Sequence, residues 1–243
     1  MEETIMTKNT LNLPVAVIAG AGEGNGQALA QRFSAAGYAV ALLARNLERT
    51  QSLAAQIDHA HAYACDVGNA ESVVEAFDAI RRELGETDVL LFNAGSGALS
   101  DIESVTPEQF ESAWRVNALG SLLCAKQVIP AMKAGGKGNI VFIGATASRR
   151  GGANTAAFAP AKAAQRSLAE SMARKLWPAG IHVSLLIIDG IVDLPATRKK
   201  MSDKAADEFV SPSAVAETAY NLTTQSPQGW SFETEVRPYR ENW

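Results

Sequence analysis

Positive charge is in short supply in this chain: 22 lysines and arginines stand against 26 aspartates and glutamates, a formal net charge of −4. Nucleic acid or an anionic membrane surface would find no electrostatic footprint on it. The one basic run, Arg198-Lys199-Lys200, reads as a solvated loop or helix face. Cysteine is scarcer still. Cys65 and Cys124 fall inside apolar runs with no metal-ligand spacing, which points to buried free thiols in a reducing compartment and to no metal site. No apolar run approaches the roughly 18 residues of a membrane span. The first dozen residues, MEETIMTKNTLN, lack the basic start and apolar middle of a signal peptide, so a loose lead-in over 1–12 and a cytoplasmic protein are expected.

What the chain does have is enough apolar material for one substantial core, 47% hydrophobic against 20% charged over 243 residues. Short apolar runs alternate with helical patterns throughout. Strands are expected at 13–20, 38–45, 61–67, 88–95, 138–145, 180–190 and 230–238, with helices at 25–37, 46–58, 70–84, 107–134, 154–178 and 212–225. Strands apolar along their whole length suit a sheet covered on both faces. With right-handed crossovers the rhythm predicts an α/β fold, a doubly wound parallel sheet of about seven strands of Rossmann type, in a single domain over 13–243.

AGAGEGNG sets Gly20, Gly22, Gly24 and Gly26 between the first strand and the first helix. Such a turn lets backbone approach a pyrophosphate at a helix N-terminus, and its place in a βαβ unit raises it above an ordinary tight turn.

The spacing Gly20-x-x-x-Gly24-x-Gly26 resembles that of the short-chain dehydrogenase/reductase family, and further motifs follow in the family's order. CDV (65–67), NAG (93–95), Asn117 in WRVNALG and Lys162 in FAPAKAA are similar to its adenine-contacting pair, its Asn-Ala-Gly motif, its helix asparagine and its active-site lysine. The resemblance implies a nicotinamide dinucleotide held by Gly20, Gly22, Glu23, Gly24, Asn25, Gly26, Arg45, Asp66, Val67, Asn93, Ala94, Gly95, Lys162 and the backbone near Ile191. It also implies that Asn117 holds a water against Lys162. Arg45, ending the second strand, suits a ribose 2′-phosphate and favours NADP(H), with NAD possible and an exposed loop arginine as the plainer reading. Glu23 works in the opposite sense, because an acid there repels that phosphate.

Two positions depart from the family. Phe158 stands four residues before Lys162, where the family's proton-donating tyrosine is expected, and Ala145 stands where its carbonyl-polarising serine is expected. The catalytic set Asn117, Lys162, Phe158 and Ala145 therefore lacks both substrate-facing hydroxyls. Loss of general-acid help alone costs roughly two to four orders of magnitude in rate. Thr146, Ser148 and Thr155 lie close in sequence as replacements or as ordinary local hydrogen-bonders, and Asp189, where the family has proline, is a substitute acid or a loop-capping residue. Thr155, seven residues before Lys162, occupies the tyrosine position of the enoyl reductases.

The chain is similar to a divergent branch of the family that carries phenylalanine in place of the tyrosine. Two functions remain open: an NAD(P)(H)-dependent oxidoreductase of unusual mechanism acting on a small molecule, and an inactive NADP(H)-binding pseudoenzyme serving as a sensor or partner subunit. Non-redox chemistry has no supporting motif. The family implies a homodimer or homotetramer.

Overall fold

A computed structural model describes residues 13–96 and 99–240. The expected lead-in over 1–12 lies outside the described residues. Strands β1 (Val15–Ala19), β2 (Ala39–Ala44), β3 (Ala60–Ala64), β4 (Thr87–Phe92), β5 (Gly138–Ala145), β6 (Ile181–Ile188) and β7 (Glu233–Val236) form one sheet in the order β3-β2-β1-β4-β5-β6-β7. All six pairings are parallel. The helices are α1 (Asn25–Ala35), α2 (Leu47–Ala54), α3 (Ala70–Glu83), α4 (Pro107–Trp114), α5 (Gly120–Gly135), α6 (Phe158–Leu176), α7 (Pro195–Lys200) and α8 (Pro212–Thr223).

The unbroken apolarity of the central strands follows from cover on both sides. Val15, Val17 and Ala19 of β1 face a cluster with Phe77 of α3, Val128 of α5 and Met172 of α6, whereas Ala16 and Ile18 face Leu29 and Phe33 of α1 and Ala219 of α8. Side chains alternate across a strand, so each β1 residue meets a helix whichever way it points. The edge strands lack that double cover: β3 and β7 are largely half-buried, and β7 reads Glu-Thr-Glu-Val.

Because β1 pairs with β2 on one side and β4 on the other, successive crossovers leave it in opposite directions. The carboxyl ends of β1 and β4 open a crevice at that switch point, the usual ligand position in such sheets. Three departures from expectation bear on the site. The helix expected at 107–134 is split by a π-turn at Arg115–Leu119. The loop expected after 189 contains α7, started by Pro195, whose missing N–H is no loss at a first helical position. The last strand is shorter than 230–238, because the Trp230 indole N–H turns back to the Gln225 carbonyl at 3.2 Å and delays its start.

Candidate functional site

The glycine turn is built by close approach. Gly20 has φ +95°, and a Cβ there would lie 2.4 Å from the Ala94 nitrogen, so the turn and the loop after β4 touch through bare backbone. The Asn93 side-chain N–H donates to the Gly20 carbonyl at 2.8 Å and locks the two together. A Cβ at Gly26 would lie 2.8 Å from that same carbonyl, whereas one at Gly22 would meet nothing within 4 Å. Gly24 caps α1 without any side-chain bond and the first turn carries no acid; the Gln27 N–H donates to the Gly22 carbonyl at 2.8 Å, which leaves the N–H groups of Asn25 and Gly26 to meet an anion. Beside them the Asn25 Oδ1 is buried without a hydrogen-bond partner.

After β2, Asn46 caps α2 by accepting the Arg49 backbone N–H at 2.9 Å, which fixes Arg49 on the first turn. Its guanidinium reaches Glu23 at 2.9 Å, both side chains remaining about two-thirds exposed. The repulsion expected of Glu23 is thus answered by a cation in the same cleft. Arg45 is exposed and has no ion-pair partner among the described residues. Together they line an open cleft of about 840 Å³, bounded opposite by Leu194, Pro195 and Ala196. The adjoining cavity, about 540 Å³, is lined by Asp66, Val67, Asn93, Ala94, Gly95 and Ser96 among others. Asp66 accepts the Gly68 N–H at 2.9 Å, and Val67 is held where Gly120 allows it, since a Cβ on Gly120 would come within 3.0 Å of the Val67 carbonyl.

Gly95, Asn117 and Lys162 converge: a Cβ on Gly95 would lie 3.3 Å from Asn117 Oδ1 and 3.8 Å from Lys162 Nζ. Asn117 sits in the π-turn, fully buried, its amide N–H donating to the Ala113 carbonyl at 2.8 Å and to Ser96 Oγ at 3.3 Å. Its Oδ1 has no partner. Lys162 is buried and donates to the Ile143 carbonyl at 2.9 Å and to Gln165 Oε1 at 3.1 Å. Burial pushes its ammonium down to about 7.

The Asn117 carbonyl already accepts from Ser121 Oγ at 2.6 Å and from Gln165 Nε2 at 3.3 Å, and Gln165 itself bridges to Lys162. The Gln165 side-chain amide thus links the Asn117 backbone carbonyl to Lys162, while Asn117 Oδ1 keeps an open acceptor position.

Phe158 opens α6, only half-buried and outside the apolar clusters, so its ring is not consumed by core packing. Ala145 ends β5, and its N–H donates to Ser148 Oγ at 3.1 Å. Thr155 Oγ1 closes a local turn on Gly152. Thr146 Oγ1 donates to Asp189 at 2.5 Å, and Arg150 and Arg237 also contact that carboxylate. Burial raises the Asp189 carboxyl, but the Thr146 hydrogen bond and the charges of Arg150, Arg237 and Arg149 outweigh it and leave it below the usual range. Asp189 is therefore a fixed anion rather than a proton source. The tyrosines lie elsewhere: Tyr38 and Tyr220 pack edge-on against Phe33, Tyr63 bonds Glu83 and Tyr239 bonds Asp207. The Ile191 carbonyl accepts the Val210 N–H at 2.8 Å, pinning the loop that begins there. The basic run ends α7, with Arg198 held by Asp193 at 2.6 Å over the Phe209 ring.

Gln165, Ser121, Arg49 and Leu194 were not singled out in the sequence. Gln165 lies three residues after Lys162, and Ser121 four after Asn117, spacings that place each pair on one helix face.

Residues 14–205 match the family described as short chain dehydrogenase. The chain is 30% identical over 182 residues to a 3-oxoacyl-(acyl-carrier-protein) reductase of Mycobacterium tuberculosis, covering 75% of this chain and 70% of that one. It is similar to a 3-ketoacyl-(acyl-carrier-protein) reductase of Brucella melitensis complexed with NADH, with TM-score 0.85, 29% identity, and 93% and 98% of the two chains covered. An alcohol dehydrogenase of Thermococcus sibiricus complexed with 5-hydroxy-NADP superimposes with TM-score 0.84 at 25% identity, covering 94% and 98%.

A carboxylate whose folded pKa is depressed stabilises the fold above its unfolded pKa, about 3.9 for aspartate, and loses that contribution as pH falls through the lower folded value. Asp189→Asn should flatten the decline in stability below that pH, measured as urea midpoints from neutrality into acid. An unchanged acid profile would mean that Asp189 is not the buried anion described.

Proposed function

The chain belongs to the short chain dehydrogenase family as an NAD(P)-dependent oxidoreductase, and on that premise we propose that it binds NADP(H) and reduces or oxidises a small molecule without a tyrosine general acid. The carrying observation is the intact dinucleotide side beside a substrate side with no titrating hydroxyl. The bare turn at Gly20 and Gly22 and the uncapped start of α1 fit a pyrophosphate. Arg45 and Arg49 outnumber Glu23 by one charge, which supports a 2′-phosphate over a bare hydroxyl. When bound, a nicotinamide supplies or accepts hydride. The chain's own contribution is to orient reactants over Gly95, to hold a proton at Lys162 Nζ, and to present the half-buried Phe158 as an apolar wall. With no acid of the usual kind, the substrate class favoured is one needing little proton assistance, such as a polarised C=C or C=N bond.

We also propose that the chain belongs to a branch with phenylalanine at the tyrosine position, a reading supported by Phe158 and Ala145 beside Lys162. The second reading, an NADP(H)-binding sensor or partner subunit without turnover, is favoured by the engagement of Thr146, Ser148, Thr155 and Asp189 in local structure. Assembly as a homodimer or homotetramer is supported by Phe110 and Trp114 of α4 and Leu122 of α5, each more than a third exposed.

Nicotinamide fluorescence titrations should show micromolar binding of NADPH, weaker binding of NADH, and about a tenfold or greater loss for NADPH alone in Arg45→Met. Equal affinity for both cofactors in the parent protein would remove the 2′-phosphate reading. Restoring Tyr and Ser by Phe158→Tyr with Ala145→Ser should confer carbonyl reduction on small ketones with NADPH, and silence of a folded, NADPH-binding double variant would point to the sensor reading. Light scattering should return a mass of two or four chains, and a monomer would remove the α4–α5 interface.

A further inference from the structure

Lys162 is a buried cation held by neutral groups. From each element packed on it, the facing groups are the Ile143 carbonyl of β5, Gln165 of α6, the Asn117 amide of the π-turn, and Gly95 with Ser96 after β4. None of these ionises near neutrality, and burial pushes the ammonium down. The orientation of Gln165 is fixed by its neighbours. An ammonium cannot accept and a carbonyl cannot donate, so Oε1 must face Lys162 at 3.1 Å and Nε2 must face the Asn117 carbonyl at 3.3 Å. Nε2 also donates to Ser121 Oγ at 2.9 Å, and Ser121 Oγ donates to the Asn117 carbonyl at 2.6 Å. Both lone pairs of that carbonyl are occupied. Gln165 and Ser121 are fully buried, so the arrangement is closed to solvent from behind.

We propose that Gln165 is a positioning residue that governs the protonation of Lys162 and closes the route to it through the Asn117 backbone carbonyl, so that Lys162 exchanges its proton only across the face formed by Gly95, Ser96 and the Asn117 side chain, where dinucleotide binding and Lys162 protonation are coupled. A carboxamide neither gains nor loses a proton near neutrality, so no proton passes through it. In the exchange one N–H of the ammonium breaks, the electron pair stays on Nζ, and the proton goes to water or to a substrate oxygen on the open face, from which it is later returned. The coupling rests on the dinucleotide reading above, whereas the link between Gln165 and Lys162 does not.

The test uses the full chain. Lysine ¹³Cε and ¹⁵Nζ resonances, with Lys162→Arg for assignment, give the Lys162 titration midpoint directly. Gln165→Glu places a carboxylate against the ammonium and should raise the midpoint by about 1–3 pH units. Gln165→Met removes the acceptor and should lower it. In parallel, NADPH affinity of the parent protein should fall, by up to about tenfold per pH unit, as pH rises through the Lys162 midpoint. In Gln165→Glu that fall should move with the midpoint. Unchanged midpoints in folded variants would overturn the positioning role. Should neither variant fold, an NADPH affinity in the parent protein that is flat across the Lys162 midpoint would overturn the coupling. Absence of NADPH binding at every pH would instead remove the dinucleotide reading, leaving the resonance midpoints to decide the role of Gln165.

Discussion

An ammonium with no carboxylate partner among the described residues organises the middle of this protein. Burying such a charge costs free energy unless its N–H groups find acceptors, and around Lys162 they are supplied by a strand carbonyl and a side-chain amide. That requirement propagates outward. Gln165 must be oriented, which takes the Asn117 carbonyl and Ser121; the Asn117 carbonyl is presented by a π-turn where a regular helix would otherwise continue. The same π-turn ends at Gly120, whose bareness admits Val67 and so shapes the wall of the neighbouring cavity.

Charge elsewhere is arranged in two assemblies of different kind. Around Asp189, a residue 4% exposed, gather Thr146, Arg150 and Arg237, while Arg166 ties α6, and Arg149 the turn after β5, to Glu233 of β7. Such a closed network stiffens the ends of β5, β6 and β7 and has no proton to spare. In the cleft by the glycine turn, Glu23 and Arg49 stay solvated and Arg45 has no ion partner among the described residues, so the surplus positive charge there faces open space. The first assembly serves the fold, whereas the second can serve a ligand.

The layered sheet and the crevice were legible because their causes are local: apolar strands of the right length, glycines at a strand-to-helix junction, and a strict alternation of elements. The absence of Tyr and Ser at 158 and 145 was equally plain. What escaped depends on distance or on a cap. The pairing of Glu23 with Arg49 needs Asn46 to start α2 where it does, and the fate of Asp189 was decided first by Thr146, 43 residues away, and then by Arg150 and Arg237. The role of Gln165 sat in view at a helical spacing, yet an amide three residues after a lysine signals nothing until a second helix brings a carbonyl to it. No local feature of WRVNALG announces a π-turn.

The segment that starts after β6 also leans on the glycine turn. Gly24 has φ +90°, and a Cβ there would come within 2.1 Å of the Leu194 Cδ2, so the bare Cα is a seat for a leucine as well as a step for the chain. A larger residue at 24 would push the Leu194 side chain aside and would itself be strained at that positive φ, including in a descendant that had ceased to bind a phosphate. Gly24 would thus persist for its backbone conformation and Gly20 for its close approach to the Ala94 backbone, which leaves Gly22, clear of every neighbour within 4 Å, as the glycine of the turn that no packing demand explains.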